Sequence, residues 1–151
     1  MGRLYGADIL TKIQTIATSG FESQLATIRS ARSDAGVPAV TKFNIGYLER
    51  QYPEGLISME DSSLDVNELS MDINNTSEEF PVELVIVLKD ITGKTYLRQE
   101  MYIEALQKLF HGYSDADITY IIVKNSIRAN MYTEQKETLR IVGVSLIIRI
   151  L

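Results

Sequence analysis

Across 138–151 the side chains alternate strictly, with Val142, Val144, Leu146, Ile148 and Ile150 on one side. Leu139, Ile141, Gly143, Ser145, Ile147, Arg149 and Leu151 fall on the other. A period of two belongs to a strand, whose successive side chains point to opposite faces, and a helix cannot gather either set. The run is far longer than the usual strand of about five or six residues, so it needs an equally long partner. Residues 117 to about 132 offer one, with Ile118, Tyr120 and Ile122 on one side and Ile121 and Val123 on the other. The polar connector 133–137 (Thr-Glu-Gln-Lys-Glu) joins the two. A long C-terminal antiparallel hairpin is the natural pairing.

Earlier in the chain, Val82-Glu83-Leu84-Val85-Ile86-Val87-Leu88-Lys89 is β-rich and apolar on both faces at its centre, as a central strand would be. Asp90-Ile91-Thr92-Gly93 then turns into a helix predicted over 94–110. Leu97, Met101, Ala105, Leu106, Leu109 and Phe110 form its apolar stripe, and His111-Gly112 closes it. Residues 4–33 read as a first helix through Ile9, Leu10, Ile13, Ile16, Ala17, Phe21, Leu25 and Ile28. Gly20 opens the option of a kink or of a break into two helices, and Gly36 with Pro38 supplies the stop. Residues 39–55 show no regular pattern. After the turn Tyr52-Pro53-Glu54-Gly55 comes a short strand candidate at 56–60, and then a polar loop at 61–80. Leu64, Val66, Leu69, Met71 and Ile73 alternate weakly there, which allows a short strand inside the loop. The expectation is a single α+β domain over 1–151. It would have a mixed, largely antiparallel sheet, two main helices packed on one face, and the long hairpin at its end.

Charge divides the chain unevenly. Between Arg50 and Lys89 run 38 residues without a Lys or Arg. They hold nine acidic groups: Glu54, Glu60, Asp61, Asp65, Glu68, Asp72, Glu78, Glu79 and Glu83. The rest of the chain carries 15 basic groups against 11 acidic ones, so a formal charge of −5 hides a strongly acidic segment on a basic frame. A self-repelling segment either stays solvated or faces something specific. Residues Glu60, Asp61, Asp65, Glu68, Asp72, Glu78 and Glu79 are therefore the candidate partner- or lumen-facing element. With no cysteine, disulfides and Cys-based zinc sites are excluded. Residues 1–8 lack the apolar core of a signal peptide, and no apolar run approaches a membrane span.

Catalytic equipment is thin. His111 is the single histidine, which rules out a His-pair metal site, and its place at a helix C-terminus has a plain dipole explanation. A serine triad would need that same histidine, and no Gly-x-Ser-x-Gly elbow presents a nucleophile. Gly93-Lys94-Thr95 sits where a phosphate loop would end, but the position that should hold its first glycine is Leu88. Glu60, Asp61, Asp65, Asn67 and Glu68 could offer oxygen ligands, yet the glycine and terminal glutamate of an EF-hand are missing. The reading is a non-enzyme without cofactor or metal.

Apolar residues on both faces of the last strand exceed what two helices can cover. Either residues 39–55 cover the remainder or a neighbouring subunit does. The candidate subunit interface is Leu139, Ile141, Ile147, Arg149 and Leu151. The eight tyrosines favour the second option, since tyrosine joins apolar area to a polar tip.

The order of elements carries a resemblance. An N-terminal helix is followed by Gln51-Tyr52-Pro53-Glu54-Gly55-Leu56-Ile57-Ser58-Met59, a polar loop, the strand 82–89 and the helix 96–110. A closing hairpin contains Arg140-Ile141-Val142-Gly143-Val144-Ser145-Leu146. This resembles the tail terminator, or tail completion, proteins of long-tailed bacteriophages and phage-tail-like particles, over most of the chain but in order and texture rather than in a diagnostic motif. The resemblance implies a homo-oligomeric ring, usually a hexamer, at the head-proximal end of the tail tube. Such a ring stops tube polymerisation and offers the surface that joins the head–tail connector. It also implies residence in the virion tail, assembly in the host cytoplasm, a sheath as further partner if the tail contracts, and DNA passing through unread. The family has no catalytic residues to carry over. An acidic, basic-poor element could line a DNA conduit without gripping phosphates, or dock on a basic protein. The alternatives are a head–tail connector protein and a non-viral acidic adaptor module.

Overall fold

The computed structural model describes residues 6–40, 42–45, 63–68, 79–89, 95–132 and 138–150. In chain order they form α1 (Gly6–Arg32), β1 (Lys42–Ile45), β2 (Ser63–Glu68), β3 (Glu79–Lys89), α2 (Thr95–Phe110), β4 (Ile118–Tyr132) and β5 (Thr138–Ile150). The five strands make one sheet in the order β1-β2-β3-β5-β4. β1 runs parallel to β2, and every other pairing is antiparallel. The expected α+β class, mixed sheet and long C-terminal hairpin are all present.

Both helices pack on one face of this sheet. Ile9, Ile13, Ala17, Phe21, Leu25 and Ile28 of α1 recur every three or four residues and are fully buried, as are Tyr102, Ala105, Leu106 and Phe110 of α2. They meet the alternate residues Val82, Leu84, Ile86 and Leu88 of β3 and Val142, Val144, Leu146, Ile148 and Ile150 of β5 in one core. The Phe21 ring stacks on Tyr102 at 6.3 Å and meets Phe43 edge-on at 6.5 Å, so one aromatic joins α1, α2 and β1. The Tyr102 hydroxyl donates to the Pro38 carbonyl, which lets a polar tip be buried.

Several expectations are corrected. Of the two options at Gly20 the structure takes the unbroken helix, and a Cβ there would lie 2.7 Å from Cδ1 of Leu109, so the small residue serves the close approach of the two helices. The helix stops at Ser33 rather than at Gly36. Ser33 takes φ 54, its N–H bonds the Ser30 carbonyl at 3.3 Å, and that of Asp34 reaches the Arg29 carbonyl at 3.0 Å. These are the two hydrogen bonds of a Schellman stop, normally built on glycine. Leu97, assigned to the buried stripe of α2, is 71% exposed, and Gln99 is buried in that turn. Within the stretch read as irregular lies β1, whereas the short strand that the weak alternation allowed inside the polar loop is present as β2. The strand candidate at 56–60 falls outside the described residues.

β4 does not alternate as its sequence suggests. Register shifts occur between Ile118 and Tyr120 and between Val123 and Asn125. The first bulge puts Ile118 with Ile121 in the core, on the opposite side from its expected companions Tyr120 and Ile122. At the other end of α2, Gly112 takes φ 81, and its N–H donates to the Ile121 carbonyl at 2.9 Å. That left-handed residue turns the chain from helix into strand.

Candidate assembly surface

The face of the sheet turned away from the helices is fixed by register, since paired residues share a side. Across β3, β5 and β4 its rows are Pro81–Ile147–Ile122, then Glu83–Ser145–Asn125, then Val85–Gly143–Ile127, then Val87–Ile141–Ala129. Three of the four rows are apolar apart from glycine. Ile122 is 40% exposed, Ile141 and Ile147 are half-buried, and Val85 and Val87 are buried. The interface candidates Ile141 and Ile147 therefore do lie on this outer face, beyond the core shared with the helices. Leu139 holds the next register position, opposite Met131, and Leu151 falls outside the described residues.

At the end of the face, two residues predicted for different roles meet. Glu79 and Arg149 are register partners, and their side chains pair at 3.5 Å, both partly exposed. The Arg149 guanidinium also lies 6.0 Å from the centre of the Tyr120 ring and donates to its hydroxyl at 3.5 Å. Of the remaining acidic candidates, Asp65 and Glu68 are positions of β2, opposite Val85 and Val82. Glu60, Asp61, Asp72 and Glu78 fall outside the described residues.

Sheet order converts the uneven charge of the sequence into a direction. β2 and β3 contain the acidic residues Asp65, Glu68, Glu79 and Glu83 with one base, Lys89, whereas β4 and β5 contain Lys124, Arg128, Arg140 and Arg149 and no acid. Since β2 and β3 lie to one side of β5 and β4, the charge of the sheet runs from acidic in β2 and β3 to basic in β5 and β4, with Lys42 of the edge strand β1 the exception on the acidic side. Most of the described charges are nonetheless met locally. Arg128 grips Glu100 with contacts of 2.7 to 3.1 Å, and Arg98 makes a two-bonded pair with Asp34 at 3.1 Å. Arg140 lies 3.8 Å above the Tyr96 ring.

Two features are not singled out by the sequence pattern. Glu83, one of the nine acids of the basic-free stretch, stands half-buried on the outer face, and loss of hydration pushes its carboxyl above the ordinary range. The signal for it is the alternation Val82-Glu83-Leu84, which places a charge opposite core residues within a buried strand. The second is a cluster between α1 and the loop entering β4. Lys12 bonds Asp115 at 2.7 Å and Asp117 at 3.0 Å. Asp115 also accepts from the N–H groups of Asp117 and Ile118 at 2.8 and 2.9 Å and from the Tyr113 hydroxyl at 2.9 Å. Burial works against its charge, but Lys12 and these donors outweigh it and hold the carboxyl down to about 2.

His111 has a structural task. Its Nδ1 accepts the Val123 N–H at 3.1 Å, tying the end of α2 to the second bulge of β4. Gln107, Lys108 and Val123 complete the lining of the shallow depression beside it, and Lys108 is occupied by Glu104 at 3.1 Å. Among the described residues no group of three or more His, Cys, Asp or Glu side chains is placed to hold a metal ion. No described helix is long and apolar enough to cross a membrane. No protein-family model matches the chain, and no curated protein matches it at a significant level.

Proposed function

We infer that this protein is a structural assembly subunit that forms a ring on the head-proximal end of a phage tail tube, ends tube growth and presents a head-joining surface. One observation carries the reading: the outer face of the sheet, left by both helices, still bears Ile122, Ile141 and Ile147 outside the core. Apolar side chains arranged on a rigid sheet suit packing against a neighbour. The order of elements, which resembles tail terminators, supplies the kind of assembly. The acidic element then faces either the DNA that passes through the ring or a basic surface of tube or connector.

Electron microscopy of particles made without the protein tests the reading. Overlong or headless tails are expected, and normal tails on filled heads would refute it. A second test reverses Glu60, Asp61, Glu68 and Asp72 to Lys. Head–tail joining should fail in that variant while its circular dichroism and melting stay like wild type. Unimpaired joining would remove the acidic element from the mechanism.

A further inference from the structure

Among the described side chains, Glu83 and Lys124 are the two charged groups for which the structure gives neither ion pair nor hydrogen bond. They are not scattered. Glu83 pairs in register with Ser145, and Ser145 with Asn125, so Lys124, the bulge residue beside Asn125, lies at the end of the same transverse row. That row is the polar line across an otherwise apolar outer face. Glu83 is half-buried in the middle strand, where a lone carboxylate loses hydration without recompense. Its own neighbourhood in the chain offers no relief, since no Lys or Arg occurs between Arg50 and Lys89. Lys124 is exposed on β4, the edge strand of the sheet, two residues from the exposed Ile122. Within one subunit the two positions are separated by β5, two strand spacings or about 10 Å, and the structure brings their side chains into no contact.

We propose that Lys124 of one copy pairs with Glu83 of the next, so that the β4 edge of each subunit rests on the outer face of its neighbour's β3. Val85 and Val87 are already covered within the subunit, so the occupant of the part still open at Glu83, Ile147 and Ile122 is a second copy, selected by the match of an unmet cation to an unmet anion among the described side chains. The contact joins two different patches, and such a heterologous contact gives a ring where the rotation between neighbours closes and an open filament where it does not. The proposal rests on the ring reading above and specifies how neighbouring subunits would meet.

The absence of cysteine in the chain makes the test direct. Glu83→Cys and Lys124→Cys variants are mixed and oxidised at a concentration where wild type sediments as an assembly. A covalent dimer should form in the mixture well above its level in either variant alone, and the double variant should give a ladder ending at the ring. A disulfide within one chain is excluded, because its Cα atoms must lie within about 7 Å. In parallel, Glu83→Lys and Lys124→Glu should each weaken self-association about tenfold, and the double reversal should restore it. An assembled wild type that shows no mixed cross-link and no response to either reversal overturns the pairing and leaves the ring intact. A wild type that stays monomeric both alone and on isolated tails overturns the ring and the pairing together.

Discussion

Replacing Asp115 by Asn would measure what the Lys12 cluster contributes. The Asp115 carboxyl, held at about 2 against an ordinary 3.8, keeps its charge in the fold more readily than in the unfolded chain. A tenfold change in proton affinity between the two states is worth about 1.4 kcal/mol, so the full displacement corresponds to roughly 2–3 kcal/mol at neutral pH. Asp115 and Lys12 each keep about a quarter of their side-chain surface exposed, and solvent screening reduces the expected effect to about 1–2 kcal/mol. Because the folded value lies below the unfolded one, the stabilisation is complete above the ordinary carboxylate range. It is lost as pH falls through about 4 towards 2. Asn retains an oxygen to accept the N–H groups of Asp117 and Ile118, so the substitution removes charge and spares the turn.

Urea unfolding of wild type and Asp115→Asn at several pH values between about 7 and 2.5 reads this difference. The stability gap should be widest at neutral pH and shrink on acidification, and Lys12→Met should give a gap with the same pH dependence. Taking the gap between proteins matters, because Glu104, lowered by its Arg32 hydrogen bond, titrates in both. A gap that does not change with pH would refute the reasoning, since Asp115 would then act through geometry and not through charge.

Two further substitutions probe the backbone. Gly143→Ala would place a Cβ 1.9 Å from the Leu84 carbonyl oxygen, a backbone atom that no rotamer change can move. A loss of about 3 kcal/mol or more is expected by thermal unfolding, against little change for Ser145→Ala in the next row, and a Gly143→Ala protein that melts like wild type would contradict the register. Ser33→Gly removes the penalty of a side chain at φ 54 and should stabilise by about 0.5–1 kcal/mol, where a loss of stability in chemical denaturation would show that the Ser33 side chain is needed.

Period and length made the central elements legible. β3, β5 and both helices announce themselves through patterns of eight or more residues and β4 through its apolar start and the need of β5 for an equally long partner, and a strand too apolar for one helical cover already implied an outer face. What stayed hidden depends on partners distant in sequence. β1 has four residues and is a strand through its parallel pairing with β2, about twenty residues further on. The Ser33 stop is hidden because Gly36 is the better residue for that conformation, whereas Asp34, fixed to Arg98 on α2, holds the next residue in place. Ile118 changed sides through a single extra residue at Thr119, which alternation alone cannot reveal. Leu97 satisfies the helical period but lies one turn before α2 meets the core. The partnerless state of Glu83 and Lys124 is likewise a tertiary fact, since it depends on which strands stand between them.

Sheet order also bears on which assembly such a subunit would make. A dimer joining two β4 edges would set Lys124 against its own copy, and like charges at an interface oppose association. Setting Lys124 of one copy against Glu83 of the next is the arrangement in which opposite charges meet, and repeating it turns a polarised sheet into a directional building block. The attraction between exposed charges fades beyond a Debye length of about 8 Å at physiological salt. It therefore sets orientation and leaves cohesion to the apolar rows carrying Ile122, Ile141 and Ile147. Raising salt should accordingly slow ring formation more than it loosens a ring already closed, because orientation is needed at encounter and apolar burial holds afterwards.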